Sequence, residues 1–407
     1  MALLAAATIA GLVLLWPKPG ELPTKEPYVP ADAELAAGVV TGIEPDSDGG
    51  HVMFRLDSTG EEVPLATVGV VPLEDFSVGD RIVSYRVADI GSPTGERYLF
   101  SDFRRGVPLL ALALVFALVV IAVARLKGIA ALAGLAGAVA LVWSFLLPAL
   151  AAGKPALLVA LTAASAVMFI VVYLAHGISV KSTTALLGTF LGTAVVAALA
   201  WWAVPATHLI PMASESMVWL GQRAPNADLK GVLLCGMVLA GVGVLNDVTI
   251  TQASAVWELR AAAPSATRRA VFGHAMRIGR DHIASTVYTI AFAYIGGSLG
   301  LLMVASTTDH TLLSLVTVED IASEMVPILA ASIGLVLAIP LTTAIGAWLG
   351  GGPAARRRAG TRPAGQALER TADHAAGQAL TRAGTRPADR PQRNPRGHGT
   401  DSSEAVF

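Results

Sequence analysis

The chain repeatedly runs apolar for the length that crosses a bilayer, on the order of 20 residues at a time. Such runs occupy residues 107–124, 129–150, 155–175, 182–204, 231–255, 283–306 and 326–349, with a shorter one at 2–16. In hydrocarbon every backbone N–H and C=O has to be paired within the span, so segments of this kind fold as helices. The expectation is a membrane all-α protein, a polytopic bundle of about eight transmembrane helices by the span-length rule. Composition agrees: 14% of residues are charged, against roughly a quarter in soluble domains.

Charges in the connections set an orientation. Arg125 and Lys127, then Lys181, then Arg260, Arg268, Arg269, Arg277 and Arg280, then Arg356, Arg357 and Arg358 fall on alternate connections. The intervening ones hold Lys154 alone, Arg223 and Lys230 balanced by Glu215 and Asp228, and the acidic stretch 307–324. Basic residues stay on the cytoplasmic side. Both termini are therefore expected on the cytoplasmic side, with residues 17–105 on the far side of the membrane. Segment 1–16 has no basic residue ahead of its apolar core and no A-x-A site before Pro17. It reads as an uncleaved transmembrane anchor, with a cleaved signal peptide or a start site set too late as alternatives.

Residues 17–105 are polar and turn-rich. Strand-like runs at 37–43, 51–56, 62–71 and 81–88 are separated by Asp48-Gly49-Gly50, Ser58-Thr59-Gly60 and Val78-Gly79-Asp80. This pattern predicts a small extracytoplasmic β-domain between the first two helices, a barrel of the OB type; a loose linker is the alternative. Residues 106–349 then form a seven-helix membrane domain. The remainder, 350–407, repeats AGTRPA and AGQAL, is rich in Arg, Ala, Gly and Pro, and reads as a disordered cytoplasmic tail. Cys235 is the chain's one cysteine, so no intramolecular disulfide forms, and it reads as a small buried hydrophobe.

Polar residues inside the apolar runs carry the functional signal. Asp247, Thr251, Ser254 and Glu258 are spaced by four, three and four, which puts them on one helix face. Asn246 and Gln252 flank that stripe. On the next helix Asp281, Ser285 and Tyr288 form a second stripe, with His282, Thr286 and Thr289 beside it. A lipid-facing carboxylate is costly, so the two stripes are expected to face each other inside the bundle. Asp247 would then bind a cation or exchange a proton, with His282 as its proton partner. The alternative is that Asp247 pairs with Arg277 or Arg280 and locks two helices. Elsewhere, Gly188-x-x-x-Gly192 lets helices approach closely, and Ser182 can cap the fifth span. Pro340, with Thr342 and Thr343, predicts a kink. Glu319, Asp320 and Glu324 suit a helix start.

No Walker A, His-Glu-x-x-His or paired CxxC pattern occurs. Catalytic residues, a cofactor and a metal site are not expected, and a net charge of −1 gives no bias toward nucleic acid. The expected partners are the lipid bilayer, a small solute or ion, and either a second copy or an envelope protein.

Several long motifs share one resemblance: AHGISVKSTTALLGT at 175–189, GVLNDVTITQASAVWEL at 243–259, GRDHIASTVYTIAFAYIGGSL at 279–299, and EDIASE with SIGLVLAIPLTT within 319–343. They resemble the bacterial YibE/F-like membrane family. The resemblance implies a multi-pass protein of the kind described as a permease, with no assigned substrate. Its polar signature falls on Asn246, Asp247, Thr249, Gln252, Glu258, Asp281 and His282. The arginine-rich tail departs from the family. The leading expectation is a secondary transporter whose path runs around Asp247; the other is a non-transporting scaffold whose outer domain binds an envelope partner. The two halves of the chain show no evident inverted repeat, which weighs against transport.

Overall fold

A computed structural model describes residues 1–24, 29, 33–44, 51–66, 71–89, 96–209, 215–307, 311, 314 and 317–350. The tail from 351, the turn at 48–50 and residues 67–70 of the run at 62–71 lie outside the described residues.

The domain between the first two long apolar segments is a closed five-stranded barrel: β1 (Ala33–Glu44), β2 (His51–Leu56), β3 (Glu62–Ala66), β4 (Arg81–Ala88) and β5 (Glu96–Phe103). The strand order is β1-β2-β3-β5-β4, with β1 paired antiparallel to both β2 and β4 and β3 parallel to β5. Four strands match the alternating runs. The fifth was not expected, because Leu99 and Phe100 break the alternation; its pairing on both edges holds it in place. Alternation sends Val52, Phe54, Leu56, Val63, Leu65 and Ile82 inward to one core, where Phe54 meets Tyr98 edge-on at 5.6 Å. Gly38 lets β1 lie against β2: a Cβ there would stand 2.3 Å from the Arg55 carbonyl oxygen. The buried Tyr98 donates its hydroxyl to Glu96, and the more exposed Arg86 pairs with Glu34 and Glu96. The carboxylate of Glu34 raises the Arg86 guanidinium pKa further.

Helices α1 (Ala2–Leu15), α2 (Gly106–Ala124), α3 (Leu126–Ala151), α4 (Ala156–His176), α5 (Val180–Ala206), α6 (Glu215–Arg223), α7 (Leu229–Ala262), α8 (Arg268–Gly297), α9 (Leu299–Ser306) and α10 (Glu319–Leu349) make up the rest of the described chain. Six are long and apolar enough to cross a membrane, or seven if α8 and α9, bent by 69° at their junction, form one span. The eighth expected crossing is α1, an apolar helix of 14 residues. At roughly 1.5 Å per residue it is shorter than the hydrocarbon core. The α8–α9 bend falls at Gly296-Gly297-Ser298, where glycine and serine weaken the helix. In α3 a π-turn over Val142–Leu146 precedes Pro148. Proline lacks an N–H and crowds the carbonyl four residues back, and the wider turn accommodates it. In α10 the helix runs on through Pro327 and Pro340.

The centre of the bundle is the mutual contact of α5, α7 and α10; α4 packs on α7, α3 on α4, and α8 on α10 and α7. Small residues bring the central three together. A Cβ on Gly188 would fall 1.9 Å from Thr342 Oγ1, on Gly192 2.7 Å from Leu245 Cδ2, and on Gly334 2.3 Å from Val196 Cγ2. Lipid tails are as apolar as leucine, so close backbone approach and interhelical hydrogen bonds hold such a bundle. Ser179, rather than Ser182, caps α5: its Oγ accepts from the Ser182 N–H at 3.0 Å, and the Ser182 hydroxyl lies 2.9 Å from it. Arg260 donates to the Ala266 carbonyl at 2.7 Å and the Ala347 carbonyl at 3.1 Å, tying the end of α7 to the last turn of α10, where carbonyls lack helix partners.

Candidate functional site

Helix α7 has two unlike sides. Leu245, Val248, Thr249, Gln252 and Val256 are buried, whereas Asp247, Thr251 and Glu258 are exposed and Ser254 half-buried. Asp247 lies two residues from Leu245, about 200° around the helix at 3.6 residues per turn. The predicted stripe is therefore a real face, but it points away from the bundle centre. On α8, Asp281, Ser285, Tyr288 and Thr289 are exposed and His282 and Thr286 half-buried, while Ala275, Gly279 and Ile290 face inward. The expectation that the two stripes meet inside the bundle is corrected: packing turns small and aliphatic residues inward and leaves the acids outside. Nor does Asp247 pair with Arg277 or Arg280. None of the ion pairs found among the described residues involves α7 or α8, and Arg277 instead approaches His274 Nδ1 at 3.3 Å.

The chemistry of this face follows from where its hydroxyl protons go. Thr251 Oγ1 donates to the Asp247 carbonyl at 2.9 Å and Ser254 Oγ to the Ile250 carbonyl at 2.7 Å. On α8 Thr286 donates to the His282 carbonyl at 2.9 Å and Thr289 to the Ser285 carbonyl at 3.0 Å. A hydroxyl has one proton and two lone pairs. Each of these has spent its proton on its own helix and presents only acceptors outward. Together with the Asp247 and Glu258 carboxylates, the α7 face offers acceptors to whatever lies against it.

Gln252, expected to flank the stripe, is instead the hub of the buried side. Its Nε2 donates to the Ala275 carbonyl of α8 at 3.0 Å and to Thr343 Oγ1 of α10 at 2.7 Å. Thr343 in turn donates to the Ile339 carbonyl at 2.7 Å. One turn away, Thr189 Oγ1 of α5 and Thr249 Oγ1 of α7 are 2.6 Å apart. Sequence reasoning passed over Thr189 and Thr343 as binding partners; the available signals were the glycines beside Thr189 and the proline before Thr343. Three polar atoms nearby are buried without a hydrogen-bond partner among the described residues: Asn246 Oδ1, His282 Nε2 and Thr342 Oγ1. The Thr342 hydroxyl lies against Gly188, where a Cβ would stand 1.9 Å away. The other two belong to the polar signature of the sequence, and such orphans are uncommon enough to call for a partner.

Two cavities open elsewhere. One, of about 320 Å³, lies between Gly20–Thr24, Ala151 and Arg223–Asn226. The other, of about 300 Å³, is an apolar groove between α4 and α5 lined by Leu157, Leu161 and Trp201. Neither includes the α7 stripe. No group of three His, Cys, Asp or Glu side chains able to hold a metal occurs among the described residues.

The family model described as YibE/F-like protein matches residues 112–351, which takes in the helices from α3 to α10 and every polar residue of α5, α7, α8 and α10 named above. No curated protein and no solved structure matches the chain.

Proposed function

The chain belongs to the YibE/F-like family, and on that premise we propose that it is a secondary transporter of the bacterial plasma membrane, moving a small solute or ion along the α7 face around Asp247. Its apolar helices make it a multi-pass membrane protein. The observation that carries the reading is Asp247 itself, exposed and without an ion pair on an apolar helix. It stands roughly 25 Å along the axis from Lys230 at about 1.5 Å per residue, within a hydrocarbon core about 30 Å thick. Intramembrane acids of this kind line water-filled paths or pair within the protein, and here pairing is absent among the described residues. The acceptor-only character of the face favours a cation as the transported or coupling species. Asn246 Oδ1 and His282 Nε2 are further polar groups that a hydrated path would satisfy.

In this reading the chain crosses eight times, counting α1 and taking α8 with α9 as one span. Both termini are cytoplasmic by the distribution of basic residues, and the barrel is outside. Its strand order and the parallel closure of β3 on β5 support the OB type. No catalysis is proposed. The test is flux or growth profiling of a deletion strain across ions and small metabolites, complemented with the native chain or Asp247→Asn. Loss of flux from a correctly inserted Asp247→Asn chain is the expected result; unchanged flux rejects the path.

One observation favours a scaffold instead: the α5–α7–α10 contact is tightly packed, and neither cavity includes the α7 stripe. A scaffold would use the barrel to hold an envelope protein, and crosslinking from the barrel would trap one specific partner while Asp247→Leu remained functional.

A further inference from the structure

We propose that a second copy of this chain covers the Asp247 face and sets its Arg280 opposite Asp247, so that the carboxylate left unpaired within one chain is held by an arginine that a passing cation displaces; this rests on the reading that the α7 stripe is a polar path, which a single copy leaves open to lipid.

The exposed side of α7 continues the polar stripe toward the other end of the helix with Gly236, Ala240 and Gly243. At Gly236 and Gly243 an added Cβ would meet nothing within 4 Å. The whole face is thus small or acceptor-bearing, open to close approach by another helix. What it lacks is donors, and α8 displays them: Arg268, Arg269, Arg277 and Arg280 are all exposed. Arg280 has no ion pair among the described residues.

Depth decides which residues can meet. Copies in one membrane are related by an axis along its normal, so a residue faces groups at its own level. The antiparallel register of α7 and α8 is set by Gln252, whose amide bonds the Ala275 carbonyl at 3.0 Å and would lie about 3.1 Å from a Cβ on Gly279. A helical side chain leans toward its own N-terminus, so this amide sits nearer the level of Ile250 than of Gln252. Counting away from it in both helices brings Arg280 within about one turn, roughly 5 Å, of the level of Asp247. The same count brings Arg269 near the level of Glu258. An arginine side chain spans that difference, and its guanidinium supplies the planar donor fork that suits a carboxylate. A two-fold axis makes the contact self-complementary, because α7 of each copy then meets α8 of the other.

The full chain, fluorescently labelled and diluted in lipid bilayers, tests this by subunit counting. The native chain is expected to count as two or more copies. Asp247→Arg alone and Arg280→Asp alone should each weaken association at least tenfold, and the combined reversal should restore it. Should the charge reversals fail to insert, Gly243→Leu places bulk on the same face without a clash inside the chain, and should also lower the copy number. A native chain that counts as one copy overturns the proposal, as does a copy number indifferent to all of these substitutions. Flux is read separately: single copies with normal transport reject the second copy alone, whereas stable oligomers with Asp247→Asn flux intact reject the path.

Discussion

Thr189 Oγ1 and Thr249 Oγ1 stand 2.6 Å apart, both residues at 0% exposure, where α5 crosses α7. The Thr189 hydroxyl also lies 2.9 Å from the Ala185 carbonyl and the Thr249 hydroxyl 3.2 Å from the Asn246 carbonyl, so either can donate across the interface while the other's proton stays on its own helix. With no hydrophobic gain separating a helix–helix contact from a helix–lipid one, such bonds join the bundle.

Thr249→Val keeps the shape and removes one hydroxyl of the pair. Interhelical hydrogen bonds in membranes average about 0.6 kcal/mol and reach about 1.7, so unfolding in mixed micelles should show a loss in that interval. A double cycle with Thr189→Val assigns it to the pair: the second substitution should cost little once the first is present.

Gly188→Ala tests close approach rather than bonding. Its Cβ would fall 1.9 Å from Thr342 Oγ1, and overpacking of this kind costs about 1–3 kcal/mol. Gly273 on α8 has nothing within 4 Å of such a Cβ. There the better helix former should be neutral or stabilising by as much as ~1 kcal/mol. Equal effects at both sites would rule out the packing account.

Gln252 and Asp247 should respond in opposite ways. Gln252→Leu breaks two interhelical bonds at a residue 3% exposed and strands buried partners, a loss of about 1–3 kcal/mol. Asp247→Leu removes a carboxylate from an exposed face and should leave single-chain stability unchanged or higher, while abolishing flux. Melting and flux measured on both variants separate the structural residue from the functional one.

Outside the membrane, Glu21 accepts from Lys154 Nζ at 2.9 Å and from the Lys18 N–H at 2.9 Å. The Lys154 hydrogen bond, then the Lys18 N–H, hold its carboxyl below the ordinary carboxylate range. The folded state thus binds this proton less readily than the unfolded one. The contribution is present above the ordinary value and disappears as pH falls through the lowered one. Amide exchange around residues 18–22, corrected for its intrinsic pH dependence, should therefore quicken in that acidic window. Glu21→Gln should flatten the response; an unchanged profile in the variant would mean that another group governs it.

Much of the architecture is legible without coordinates. Apolar runs of sufficient length have to be helices, and alternation at His51–Leu56 and Arg81–Ala88 has to make strands with one wet side. Likewise the spacing of Asp247, Thr251, Ser254 and Glu258 places them on one face whatever surrounds the helix. β5 was missed because Leu99 and Phe100 are adjacent apolar residues, and its strand conformation comes from pairing with β3 and β4.

The sequence by itself determined which segments form long apolar helices and which residues share a helix face, since run length and the 3.6-residue period are properties of the local chain. Which way that face points was decided only by the tertiary structure. In water, apolarity marks the inner side of a helix; in lipid both sides are apolar, and the mark is lost. The rotation of α7 depends instead on where Gly192 admits Leu245 and Gly241 admits Val196, and on Gln252 and Thr249 finding Thr343 and Thr189 on other helices. Asp247 faces outward because those contacts claim the opposite side.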